Sequence, residues 1–161
     1  MRSILLFAYL FTLASCSTTN YYIVRHAEKV PSDGMMTSDV PLSEAGKARA
    51  VALDGVLHNR KIKTIYATPY LRTQGTAQPL STTIGVPVET YKPGDTAFLQ
   101  QLKSINNNVL VVGHSNTVDD IVNSLTGKSL LKDLPDTQYG DLFIVKKKGR
   151  KYSFVQKHFG Q

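Results

Sequence analysis

The chain has 161 residues, 19 Lys and Arg against 12 Asp and Glu, 42% hydrophobic residues, one Cys and no Trp. That length suits one compact domain, and a single Cys excludes both an internal disulfide framework and a cysteine-rich zinc site. A formal net charge of +7 points to anionic partners, and the four His form no H-x-x-x-H pair, so no metal is expected.

The first fifteen residues read MRSILLFAYLFTLAS, with Arg2 followed by an apolar run from Ile4 to Leu13. A helix needs about 20 apolar residues to cross a bilayer, so this run is too short to span one. A charged start, a short apolar core and then small residues is the order of a secretory signal. Leu13-Ala14-Ser15-Cys16 resembles the lipobox of bacterial lipoproteins, in which the Cys is lipidated and becomes the mature N-terminus. The expected organisation is therefore a signal peptide over residues 1–15, lipidation at Cys16, a polar tether over 16–20 and one domain over 21–161. An exported protein anchored to a cell-envelope membrane follows from it. The alternative, a buried first strand, leaves the position of the only Cys unexplained.

Tyr21-Tyr22-Ile23-Val24 predicts a strand. Ser43 to Asn59 predicts a helix with Ser43 as N-cap and Ala45, Ala48, Ala52 and Val56 along one stripe. A second strand over Thr64–Ala67 and a second helix from Pro69 to about Thr83 follow, with the Pro near the helix start. Val86 to Tyr91 reads as a third strand, and a helix near Thr96 to Ile105 has Asp95 as its cap. Val109-Leu110-Val111-Val112 is wholly apolar, the pattern of a parallel strand buried on both faces. After it Val118, Ile121, Val122 and Leu125 fall at helical spacing, and Gly127 is a stop. Leu142–Val145 and Tyr152–Val155 flank a Lys/Gly/Arg turn and predict a hairpin.

This alternation predicts an α/β fold, a three-layer α/β/α architecture with a mainly parallel central sheet and a C-terminal β-hairpin. Ligands of such sheets bind beyond the carboxyl ends of the strands. Arg25-His26, Thr68-Pro69 with Arg72, and Gly113-His114-Ser115 each follow a predicted strand, so two His and two Arg converge on one edge. Guanidinium forks suit phosphate oxygens, and a neutral imidazole can attack phosphorus. A second, protonated imidazole stabilises charge on the equatorial oxygens, and a helix starting near Ser115 adds backbone N–H groups.

Four strings resemble the histidine phosphatase superfamily, the phosphoglycerate mutase-like fold. They are Val24-Arg25-His26-Ala27-Glu28, Pro41 to Gly46, Thr68 to Thr73, and Val112-Gly113-His114-Ser115. The resemblance covers about residues 20 to 127, and it implies that His26 is the phosphorylated nucleophile, with Arg25, Arg72 and His114 forming the phosphate pocket. Where the family often shows Gln-Thr-Ala after the second arginine, this chain has Gly75-Thr76-Ala77. The long insertion that caps the mutases and carries their acid is missing. A small, short-capped phosphatase is expected rather than a mutase, acting without cofactor or metal on a small phosphorylated substrate or a phosphoprotein. The alternative is a catalytically weak phosphate- or phosphoprotein-binding lipoprotein.

Asp95 and then Glu89 are the candidate general acids, ahead of Asp119 and Asp120. Their competing readings are an N-cap for Asp95, a solvated strand residue for Glu89 and helix-dipole partners for the last two. Asn116 either touches substrate or caps the helix that follows. His58 reads as a helix C-cap. Lys146 to Lys151 reads as a solvated turn, with a lipid or nucleic-acid patch as alternative. No aromatic residue interleaves that run, so no nucleic acid is expected.

Overall fold

The computed structural model describes residues 18–31 and 39–160. The expected signal peptide and Cys16 lie outside the described residues. The elements in chain order are β1 (Thr18–Arg25), α1 (Glu44–Leu57), β2 (Ile62–Ala67), α2 (Leu71–Ile84), β3 (Val88–Thr90), α3 (Thr96–Ser104), β4 (Asn108–Gly113), α4 (Val118–Thr126), β5 (Asp141–Lys148) and β6 (Lys151–His158). They build one six-stranded sheet in the order β3-β2-β4-β1-β5-β6. The first four strands in that order run parallel, and the β5–β6 hairpin joins β1 antiparallel.

The pleat explains the three layers. Tyr21 and Ile23 of β1 face one core with Val109, Val111, Phe98, Leu102, Ile121 and Leu125, the side of α3 and α4. Tyr22 and Val24 face the other, with Leu110, Val112, Leu53, Leu57 and Leu80, the side of α1 and α2. Burial on both faces is why β4 has no polar residue from Val109 to Val112. Each large side chain so buried stabilises the fold by about 1.5–3 kcal/mol.

Three expectations need correction. Of the expected stripe of α1, Ala45, Ala48 and Val56 are exposed and Ala52 is half-buried, while Gly46, Ala50, Leu53 and Leu57 are the buried residues. Both sets keep helical spacing, and the leucines decide because they bury far more apolar area than alanine does. The third strand is shorter than expected, since the Val86 N–H donates to the Ser81 carbonyl at the end of α2. Thr18–Asn20, expected in the tether, are strand: they pair with Lys148, Lys147 and Lys146 of the long hairpin. No helix of the described residues is long and apolar enough to cross a membrane.

Candidate active site

Parallel pairing of β1 with β4 sets Arg25 opposite Gly113, and the His26 N–H donates to the Gly113 carbonyl at 2.9 Å. The residues that end the two strands are thereby neighbours. The His26 and His114 ring centroids lie 5.4 Å apart, with the rings at 67°. Gly113 lets Tyr91 and Thr117 pack closely against the end of β4, because a Cβ there would lie 2.9 Å from Tyr91 Oη and 3.0 Å from Thr117 Oγ1. A pocket of about 870 Å³ opens over the pair, lined among others by Arg25, Lys29, Tyr70, Arg72, Asn116 and Tyr139.

Backbone and side-chain contacts settle how each imidazole is held. His26 Nδ1 lies 2.8 Å from the Ala27 carbonyl. A carbonyl only accepts, so Nδ1 carries the hydrogen and neutral His26 has its lone pair on Nε2. His114 Nε2 lies 2.8 Å from Thr68 Oγ1, which donates to Thr73 Oγ1 at 2.9 Å, and that hydroxyl donates to the Thr68 and Tyr70 carbonyls. This one-way chain leaves Thr68 as acceptor from His114, so neutral His114 holds its hydrogen on Nε2 and its lone pair on Nδ1. Burial lowers His26 to about 3, against the bond to Ala27 and helped by the charges of Arg25, His114 and Arg72. Burial also lowers His114 to about 4, helped by Arg72 and Arg25. Both rings are neutral at neutral pH.

The arginines differ. The Arg25 guanidinium is buried; its Nη1 donates to the carbonyls of Pro135, Asp136 and Gln138 at 2.8, 3.1 and 3.1 Å. Its Nη2 lies 3.6 Å from the exposed Asp136 carboxylate, and its plane covers Tyr139 at 4.4 Å. Arg25 thus draws the 133–139 loop across the pocket. Arg72 lies over the Tyr70 ring at 4.5 Å, and among the described residues it holds no such loop.

A second layer fixes the turn after His26. The Ala27 N–H donates to Thr76 Oγ1 at 2.9 Å. Ser43 caps α1 by accepting from the Gly46 N–H, while its own N–H donates to the Glu28 carbonyl. A Cβ on Gly46 would meet that carbonyl oxygen at 2.0 Å, so α1 closes on the turn only with glycine there. Burial acts to raise the Glu28 carboxyl, yet the paired bonds from Arg49, at 2.7–2.9 Å, hold it below its ordinary value. At Gly75 on α2 the fit is tight but less exacting, since a Cβ would lie 3.2 Å from Leu42 Cδ1. Gln74 Nε2 donates to the Thr68 carbonyl.

Of the residues expected at the site, Arg25, His26, Arg72, His114 and Asn116 line the pocket. The acids do not. Asp95 caps α3 by accepting from the Ala97 N–H, and Glu89 lies exposed on β3, against a different surface hollow. Asp119, raised above its ordinary value mainly by burial, and Asp120 sit in the first turn of α4 and do not line the pocket. That helix begins at Val118 rather than near Ser115, and the Thr117 and Val118 N–H groups bond the His114 carbonyl. They are not presented to a ligand. Asn116 does not cap α4, because Thr117 holds the cap position. His58 is the C-cap of α1, its ring nitrogen 2.9 Å from the Asp54 carbonyl. Tyr70, Tyr139, Lys29 and the carboxylates Asp133 and Asp136 also line the pocket, unforeseen from sequence. Tyr70 lies within Thr68–Thr73, but loop 133–139 carries no motif.

A family model described as the histidine phosphatase superfamily, branch 1, matches residues 21–92. The solved structures have the same fold. That family model covers less than half of the chain, and at such low identity the solved structures show the fold alone. The protein histidine phosphatase SixA, solved complexed with tungstate, is 18% identical with a TM-score of 0.69, over 86% of this chain and 96% of that one. A mycobacterial glucosyl-3-phosphoglycerate phosphatase is 14% identical with a TM-score of 0.67, over 88% and 98%. Bacillus stearothermophilus YhfR is 17% identical with a TM-score of 0.65, over 85% and 95%. No curated protein matches the chain. Within the histidine phosphatase fold the family match takes in Arg25, His26 and Arg72, while His114 lies beyond it.

Proposed function

We propose that the protein is a phosphatase that hydrolyses phosphoesters through a phosphohistidine on His26. The observation that carries the reading is a buried imidazole, neutral near pH 7 and with its lone pair held on Nε2, in one pocket with Arg25, Arg72 and His114. In the first step Nε2 bonds to phosphorus, the bond to the leaving oxygen breaks, and that oxygen takes the electron pair. Water then attacks phosphorus, its proton goes to solvent, and the P–N bond electrons return to Nε2. A bound dianion favours protonation of His114 Nδ1, which then donates to the transferring group beside Arg72. Tungstate in the similar SixA structure is a tetrahedral dianion of the same kind. The carboxylates lining the pocket, Asp133 and Asp136, come from the loop that Arg25 holds. The leaving group therefore draws its proton from solvent or that loop, which favours substrates with good leaving groups. The short cap leaves the pocket open to a small phosphoester or a phosphorylated protein.

The test is a brief exposure to a radiolabelled phosphoester. Acid-labile label on the wild type, absent from His26→Ala together with turnover, is the expected result. Full turnover by His26→Ala overturns the assignment. Tight phosphate binding with neither label nor turnover assigns a binding module instead.

We also infer export and a lipid anchor at Cys16, supported by Arg2, the apolar run Ile4–Leu13 and Leu13-Ala14-Ser15-Cys16. Fatty-acid labelling of cells should mark the wild type and spare Cys16→Ser.

A further inference from the structure

The two edges of the sheet carry opposite burdens. At the amino edge β1, β2 and β4 begin and the β5–β6 hairpin turns. Thr18 pairs there with Lys148, and Lys148 with Lys151 across the turn. Lys148, Arg150 and Lys151 are exposed, as are Arg60 and Lys61 leading into β2. Lys103 ends α3 at the same edge, where Lys147 Nζ donates to its carbonyl. On these element ends the one described carboxylate is Asp54, and Thr83 Oγ1 donates to it. The other described carboxylates lie on loops and element ends nearer the pocket.

Such clustering has a cost. Lys148 and Lys151 stand directly opposite one another, and like charges so placed destabilise a hairpin. An external anionic surface removes that cost. The chain argues for a lipid surface: Thr18 enters β1 at this edge, and the seventeen residues before it include Cys16 and the apolar run Ile4–Leu13. Two extended residues reach only about 7 Å, so an anchor at Cys16 holds this edge against the bilayer. Eight strand residues separate that edge from His26, roughly 25 Å.

We propose that the basic amino edge is the face by which the protein lies on an anionic bilayer, with the His26 pocket turned away from it. The choice of a membrane rests on the anchor inferred above; the phosphatase reading enters only in naming what faces outward. Juxtamembrane cations are attracted to anionic lipid and released by salt.

The experiment uses residues 16–161 carrying Cys16→Ser, so that neither an acyl chain nor the apolar run Ile4–Leu13 contributes. Co-sedimentation is measured with phosphatidylcholine vesicles with and without phosphatidylglycerol. The protein should bind the anionic vesicles more strongly, and the gain should vanish at high salt. K148Q, R150Q and K151Q together should weaken that binding by on the order of a hundredfold. Turnover of a soluble phosphoester should stay unchanged, which shows that the variant is folded and keeps this test separate from that of catalysis. Equal binding to both vesicle types, or binding unaffected by the triple change, overturns the proposal. So does loss of binding to duplex DNA in a protein that ignores vesicles. Brominated lipid should quench Trp fluorescence in Y152W and not in Y70W; the reverse overturns the orientation.

Discussion

The carboxyl edge and the amino edge of this sheet hold cations in opposite ways. At the carboxyl edge Arg25 is buried, and three carbonyls and an aromatic ring fix its guanidinium. At the amino edge Lys148, Arg150 and Lys151 project from a turn into solvent. A buried, oriented cation can hold a pocket in shape for one dianion. An exposed cluster can only attract an extended anionic surface, and salt weakens it. On the two readings proposed above, one fold would separate specific chemistry from general adhesion by the length of its strands.

Arg72→Ala offers the largest effect that can break this comparison. Loss of one donor to the transferring group should lower kcat/KM by about 10²–10³-fold and weaken vanadate inhibition in parallel. Unchanged inhibition would make the carboxyl-edge cations no more specific than the hairpin lysines.

Gly46→Ala tests whether the turn after His26 is held as rigidly as the contacts imply. The added methyl meets the Glu28 carbonyl, so α1 must shift, and urea unfolding should show a loss of about 3 kcal/mol. Thr68→Val removes the acceptor of His114 Nε2 while keeping the volume. kcat/KM should drop by about tenfold, with a displaced pH profile and little change in the position of the aromatic rings.

Acid sharpens the same contrast. His26 and His114 sit near 3 and 4 when folded, below the ordinary 6.5, so the unfolded chain binds more protons between those values. Stability is complete above about pH 6.5 and falls as pH drops toward 3. Replacing both rings by Gln should flatten a plot of urea midpoint against pH over that window. The smallest effect belongs to the amino edge. Lys148→Gln should change unfolding stability by within about 0.5 kcal/mol, since no buried group depends on it.

Much of this was legible in the chain. Alternating apolar runs and helical stripes located the four described helices and the parallel strands, because β4 and α4 bury every residue their periodicity marks. The α1 stripe misled, since two stripes share one period and only packing selects between them. Arg25, His26, Arg72 and His114 could be placed at one pocket because each follows a strand in a compact string. The carboxylates were not. Asp95 is equally suited to capping and to catalysis by its position, and the cap took it.

From the sequence alone come the fold class, the strand ends that meet at the pocket, and the presence of one Cys after an apolar run. Only the tertiary structure decided which nitrogen of each imidazole is free, that Arg25 draws the 133–139 loop over the pocket, and that the lysine turn meets the first residues of β1. These depend on contacts between residues dozens of positions apart, which no local periodicity encodes. Hydrogen-bond direction and strand register are properties of the packed chain.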